Sequence, residues 1–236
     1  MNENLDSTEL AKFSALADQW WNPEGQLKTL HIINPVRLAY IDAEVSLAGK
    51  RVLDVGCGGG ILAEAMAKKD ACVTGLDASE SAIGIARSHS RQSGRNIDFI
   101  VSTPEKYASQ LADTFDVVTC MELLEHVPDP ESVIAACAKL VKPNGHVILS
   151  TVNRTPKAYA LAVLGAEYLL KLLPKGTHEY AQFIRPSELA RWCRRQDMTV
   201  RHITGLTYLP LVNYCALSRK TDVNYMMHAE LAADAL

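Results

Sequence analysis

From Arg51 onward the chain alternates short apolar runs with stretches whose apolar residues recur at three- and four-residue spacing. RVLDVG, CVTGLD, IDFIVS, FDVVTCM and HVILSTV read as strands, with helices predicted over 61–69, 79–93 and 131–141. The runs lack the polar alternation of a half-exposed strand, so they are buried on both faces. That order predicts an α/β fold, a doubly wound and mostly parallel sheet joined by right-handed crossovers. Upstream, Asp6 or Ser7 opens an amphipathic helix running to Trp21, with Leu10, Phe13, Ala17, Trp20 and Trp21 at helical spacing. The alternation stops at Val152. An insertion with its own apolar segment follows, then a helix opening at Pro186, the strand MTVRHITGLTYL, and a last strand from VNYMMHAEL. The expectation is one domain over 1–236: an N-terminal helical cap at 1–48, a binding core at 49–152, an insertion after strand five at 153–185, and the rest of the sheet at 186–236.

Composition narrows the function. At 236 residues and 48% hydrophobic content, the chain can bury one sizeable core. A net charge of −3 with dispersed Lys and Arg provides no basic field, so no nucleic acid partner is expected. The six cysteines form no Cys-x-x-Cys pair, which favours reduced thiols over a disulfide framework or a zinc site. The polar start MNENLDSTEL and the lack of an apolar run of about 18 residues point to a cytoplasmic protein.

The candidate chemistry begins at VLDVGCGGG, Val52 to Gly60, a strand running into a glycine loop and then a helix. Gly56, Gly58, Gly59 and Gly60 lack the Cβ atoms that would hold a ligand off the backbone, and the helix N-terminus offers N–H groups. Asp77 stands 21 residues past Gly56, at the end of the second strand, where a carboxylate can accept from both hydroxyls of a ribose. A dinucleotide is disfavoured by Ile61, which stands where the G-x-G-x-x-G/A fingerprint needs a small residue. It is disfavoured also by Asp54, whose negative charge repels a pyrophosphate and attracts an amino group. A ligand with a ribose, a cation and a carboxylate fits better, which describes S-adenosylmethionine. Asp54 and Asp77 also suit strand-end caps. Met121, opening the loop after strand four, suits either a cover on this ligand or a core methionine. STPEKY, Ser102 to Tyr107, is the expected adenine wall, with Glu105 as an acceptor for the adenine amino group.

LDVGCGGG, GLD, DVVTCMELLEHVPDP and LVKPNG together resemble the class I S-adenosylmethionine-dependent methyltransferases. HIINPVRLAYI, VLGAEYLLKLLPKGTHEYAQFIRPSEL and RHITGLTY narrow the resemblance to the bacterial ubiquinone biosynthesis O-methyltransferase family, over about Glu9 to His228. The resemblance implies methylation of hydroxyls on polyprenylated phenol and quinol intermediates, 2-polyprenyl-6-hydroxyphenol and 3-demethylubiquinol. It implies donor contacts at Arg37, Gly56, Asp77 and Met121, with Gly58 and Asp54 added from the loop itself. Arg37 can pair bidentately with the methionine carboxylate. Asn144 in KPNG departs from the second glycine usual there, a change that a left-handed turn tolerates.

For the acceptor, a phenol with a pKa of about 10 needs its proton removed or weakened. If MELLEHVPD forms a helical turn, Glu122, Glu125 and His126 share one face and can bind a divalent cation that chelates catechol-type oxygens. Magnesium is the ion that the resemblance to eukaryotic relatives suggests. Without a metal, His126 alone serves as general base. His178 in KGTHEY belongs to a candidate lid. Segment 157–176 is apolar almost all round. Its helical part, Ala158–Leu173, is about 24 Å long at ~1.5 Å per residue, too short to span a ~30 Å hydrocarbon core. It reads either as a lid packed on its own domain or as a helix lying on an anionic membrane surface, with Lys157, Lys171 and Lys175 near the lipid headgroups. Other ubiquinone biosynthesis enzymes are the protein partners that the resemblance suggests. Competing readings are a methyltransferase of the same fold with another small-molecule acceptor, and a non-catalytic S-adenosylmethionine-binding module.

Overall fold

The computed structural model describes residues 4–161 and 180–233. Its centre is an eight-stranded sheet in the order β3-β2-β1-β4-β5-β8-β6-β7. The strands are β1 (Arg51–Val55), β2 (Cys72–Asp77), β3 (Asp98–Val101), β4 (Phe115–Met121), β5 (Val141–Val152), β6 (Met198–Leu209), β7 (Tyr214–Ser218) and β8 (Asn224–Leu231). The first five pair in parallel, as their continuous apolar runs predict. β8 runs antiparallel to both β5 and β6, and β7 adds an antiparallel edge that the apolar pattern does not announce.

Both faces of the sheet are covered. Leu53 and Val55 of β1 pack with residues of α6 (Pro130–Leu140) and α8 (Pro186–Arg195). Val52 points the other way, toward Ile41 of α2 (Lys28–Val45) and Met66 of α3 (Ile61–Ala67). Each fully buried Leu or Val contributes roughly 1.5–3 kcal/mol, so the run VLDV can occupy only a central strand. α4 (Glu80–Gln92) is capped by Ser79, whose Oγ accepts from Ala82 N. α5 (Pro104–Ala108) and α6 each have a proline in their first turn and a side-chain cap, Thr103 and Asp129. A single turn, α7 (Pro156–Ala158), leads into the insertion. Most of segment 157–176, and His178 with it, lies outside the described residues.

The N-terminal cap differs from expectation. α1 (Ser7–Ala15) starts at the Asp6 cap, where the carboxylate accepts from Thr8 N and Glu9 N, but it ends six residues before Trp21. A 3-10 turn over Ala17–Gln19 follows. The tighter turn brings Trp20 onto the glycine loop, where the indole is buried with Leu27 and Ile61. α2 then continues through Pro35.

Candidate active site

The chain proceeds outward from β1 to β3 and then returns to place β4 on the other side of β1, so strand order reverses between β1 and β4. Crevices at such reversals, beyond the carboxyl ends of the strands, are where open α/β sheets bind ligands. A cavity of about 550 Å³ opens there, lined by Asp54, Gly56, Gly58, Asp77, Met121 and His126 among others. Arg37, Glu122 and Glu125 also reach it.

Asp54, at the end of β1, is buried and accepts from Thr119 Oγ1 of β4 at 2.7 Å. Burial pushes its carboxyl up to about 7, against the opposing pull of Thr119 and Arg37. Asp77 caps the glycine loop: Oδ2 accepts from Gly58 N and Oδ1 from Ser79 N, both at 2.8 Å. Burial still raises its pKa above the usual carboxylate range. A carboxylate has about four acceptor sites, so the capping role leaves capacity for ribose hydroxyls on the cavity side. Met121 belongs to the core cluster and to the cavity wall at once.

The glycines make room for protein as well as ligand. Gly58 has φ +53°, and a Cβ built there would stand 2.5 Å from Cζ2 of Trp20; at Gly59 it would meet Trp20 Cγ at 2.5 Å. Trp21 Nε1 donates to Gly59 O at 2.9 Å. The N-terminal segment is therefore seated directly on the loop. Of the adenine wall expected at 102–107, Ser102 and Pro104 line the cavity. Glu105 instead accepts from Asn4 and Ser132 through Oε1.

Arg37 is 5% exposed and ion-paired with Glu122. Burial lowers its pKa to about 10, so the guanidinium stays charged at neutral pH. Glu122 has φ +48°, and its Oε1 accepts from Ser150 Oγ at 2.7 Å. The expected helical turn is not formed. Glu122 is left-handed, and only Leu124–His126 make a 3-10 turn. As a result the three side chains are each held by a different partner. Glu122 faces Arg37, Glu125 accepts from Thr151 Oγ1 at 2.8 Å, and the ring of His126 meets Glu9 Oε2 at 2.8 Å. No group of three His, Cys, Asp or Glu suited to a metal ion occurs among the described residues. Glu122, Glu125 and His126 thus do not fit the expected magnesium site.

Glu9 escapes sequence reasoning altogether. It reaches His126 from α1, 117 positions away, and Phe13 meets the same ring edge-on at 5.1 Å. A carboxylate can only accept, so His126 Nδ1 is the donor and the neutral ring carries its lone pair on Nε2. Burial raises the pKa of Glu9, but hydrogen bonds from His126 and Lys12 outweigh this and hold it below the usual range.

A mostly parallel sheet has a cavity at its reversal point, with acidic residues at the ends of β1 and β2, and a family model described as a methyltransferase domain matches residues 35–203. The fold agrees. Magnesium protoporphyrin IX methyltransferase from Synechocystis PCC 6803, solved with bound SAH, superposes with a TM-score of 0.69 at 20% identity, covering 96% of this chain and 95% of that one. Ubiquinone biosynthesis O-methyltransferase of Aromatoleum aromaticum is 56% identical over 98% of this chain and 99% of its own length. That of Thiobacillus denitrificans is 57% identical over 95% and 97%. The chain belongs to the ubiquinone biosynthesis O-methyltransferase family.

Proposed function

We propose that this chain is an S-adenosylmethionine-dependent O-methyltransferase that methylates hydroxyls of polyprenylated phenol and quinol intermediates in ubiquinone biosynthesis. The observation that carries this reading is the 56% identity, over nearly both full lengths, to a relative named for that activity. The cavity supports it, because its wall has separate groups for a nucleoside donor and for a phenol. S-adenosylmethionine supplies, when bound, an electrophilic methyl group on a sulfonium. Asp77 accepts from the ribose hydroxyls, and Asp54 presents its carboxylate to the donor's cationic end. Enclosure by α1 and Trp20 excludes water and aligns the reactants.

His126 takes the phenol proton through Nε2, with Glu9 fixing the tautomer and stabilising the imidazolium that forms. No metal takes part in this scheme. The test is turnover by the purified protein with labelled donor and a polyprenyl hydroxyphenol. Label appearing only in soluble catechols would favour another acceptor, and donor binding without turnover would favour a non-catalytic module.

The acceptor class also supports reversible contact with an anionic membrane surface through 157–176. No helix among the described residues is long and apolar enough to cross a membrane. At the described start of the segment, Lys157 and Leu161 are exposed, and both line the cavity rim. Other enzymes of the same pathway are the protein partners to seek, by co-purification.

A further inference from the structure

Among the described residues that line the cavity, four are exposed: Lys157, Leu161, Thr207 and Leu209. They stand at the start of the insertion and at the end of β6, so this is where the wall reaches the surface. α1 and the residues before it also line the cavity, but none of their side chains on the wall is exposed, and Asp6 and Glu9 among them are acidic. Of the four, Lys157 is committed to Asp222, with Nζ at 2.8 Å from Oδ2, and Thr207 is small and uncharged. Leu161, 52% exposed, and Leu209, 49% exposed, are the only exposed large apolar side chains on the described wall. Past Leu209 the apolar surface runs on along the chain through the 3-10 turn Pro210–Val212, where Val212 is 69% exposed, to Tyr214 of β7. Single exposed leucines are ordinary, whereas an apolar surface that leads out of a cavity marks an interaction site.

Resting on the reaction proposed above, we infer that Leu161 and Leu209 are specificity-determining residues that seat the isoprenoid tail of the acceptor as it leaves the cavity. A volume of about 550 Å³ is the size that encloses one drug-sized ligand, and the donor and the phenolic ring share it. A tail of many isoprene units therefore has to pass out over the wall. It has no charge and no hydrogen-bonding group, so it cannot compensate Asp6 or Glu9 for lost water. Over Leu161 and Leu209 both surfaces shed water together. The tail then adds affinity without touching the reacting atoms, and its loss is read in KM rather than in kcat.

The experiment compares 2-farnesyl-6-hydroxyphenol with 2-methyl-6-hydroxyphenol, which keeps the ring and lacks the tail, first without lipid and then with anionic vesicles. The parent should show a higher kcat/KM for the tailed substrate. Leu161→Asn and Leu209→Asn should each lower the ratio of the two kcat/KM values about three- to tenfold, the value of burying the exposed half of a leucine, and the double variant about ten- to hundredfold. The tail-less substrate reports any loss of ring binding or of folding. Val101→Asn is the control, since Val101 is exposed at the end of β3 and lies off the cavity wall; its ratio should equal the parent's. An unchanged ratio in the double variant overturns the tail site, and so does an equal loss on both substrates or a parent indifferent to the tail. A fall that appears only when vesicles are added overturns it in favour of a bilayer contact. A parent that methylates neither phenol overturns the proposed reaction itself, and the tail site with it.

Discussion

Replacing Gly58 by alanine tests whether the glycine loop is shaped for Trp20. The new Cβ would stand 2.5 Å from Cζ2 and 2.8 Å from Cζ3 of the indole, where carbon atoms prefer about 3.5–4.0 Å. Trp20 is 9% exposed and packed on Leu27 and Ile61, so the ring cannot swing aside without opening the cluster. Overpacking of this kind costs about 1–3 kcal/mol, and a side chain at φ +53° adds about 1–2 kcal/mol of backbone strain. The combined loss is about 2–5 kcal/mol. Urea unfolding should register it as a midpoint lowered by at least ~1 M for a slope of about 2 kcal/mol per molar.

Gly84 in α4 is the control, since nothing lies within 4 Å of a Cβ built there. Gly84→Ala should raise stability by about 0.5–1 kcal/mol through helix propensity. Trp20→Ala in the Gly58→Ala background should recover the steric share and leave the backbone share, a coupling that a double-mutant cycle measures. An unchanged midpoint for Gly58→Ala would refute the seating of Trp20 on the loop, and so would strict additivity in the cycle.

Asp54→Asn should flatten the pH dependence of stability in the absence of donor. The parent's carboxyl titrates near 7 when folded and near its ordinary value of 3.8 when unfolded, so the folded state binds the extra proton between them. Stability from this group is then present at low pH and lost as pH rises toward 7, with a slope of up to about 1.4 kcal/mol per pH unit; parallel curves for parent and variant would refute the shift. His126→Ala should lower kcat by about 10²–10⁴ with little change in calorimetric donor affinity, because the ring acts on the acceptor alone. Activity of the parent should survive a chelator, and loss that magnesium restores would contradict the engagement of Glu122, Glu125 and His126 by separate protein partners. The parent should float with anionic liposomes while a Leu169→Glu, Leu172→Glu double variant does not; equal flotation, or none by either, would leave 157–176 as a lid.

The parallel core was legible in the chain because burial on both faces leaves a local mark, a continuous apolar run with no polar alternation. Asp6, Ser79 and Pro186 marked helix starts for a similar reason, since caps and prolines satisfy or remove N–H groups within a few residues of themselves. Asp54 and Asp77 were legible as strand-end acids facing a glycine loop, and they do face the cavity.

Helical spacing misplaced Glu122, Glu125 and His126, because the backbone at Glu122 answers to Ser150 on the neighbouring strand rather than to its own sequence neighbours. The short edge strand β7 depends on pairing with β6, so its apolar pattern alone could not announce it. Glu9 with His126, Trp20 with Gly58, and Arg37 with Glu122 are each joined across dozens of positions. Periodicity and caps record how a segment folds on itself and which face it buries. Which distant side chain completes a hydrogen bond or an ion pair is decided only when the topology stacks α1 and α2 over the ends of β1 and β4, and at this site that stacking sets the chemistry.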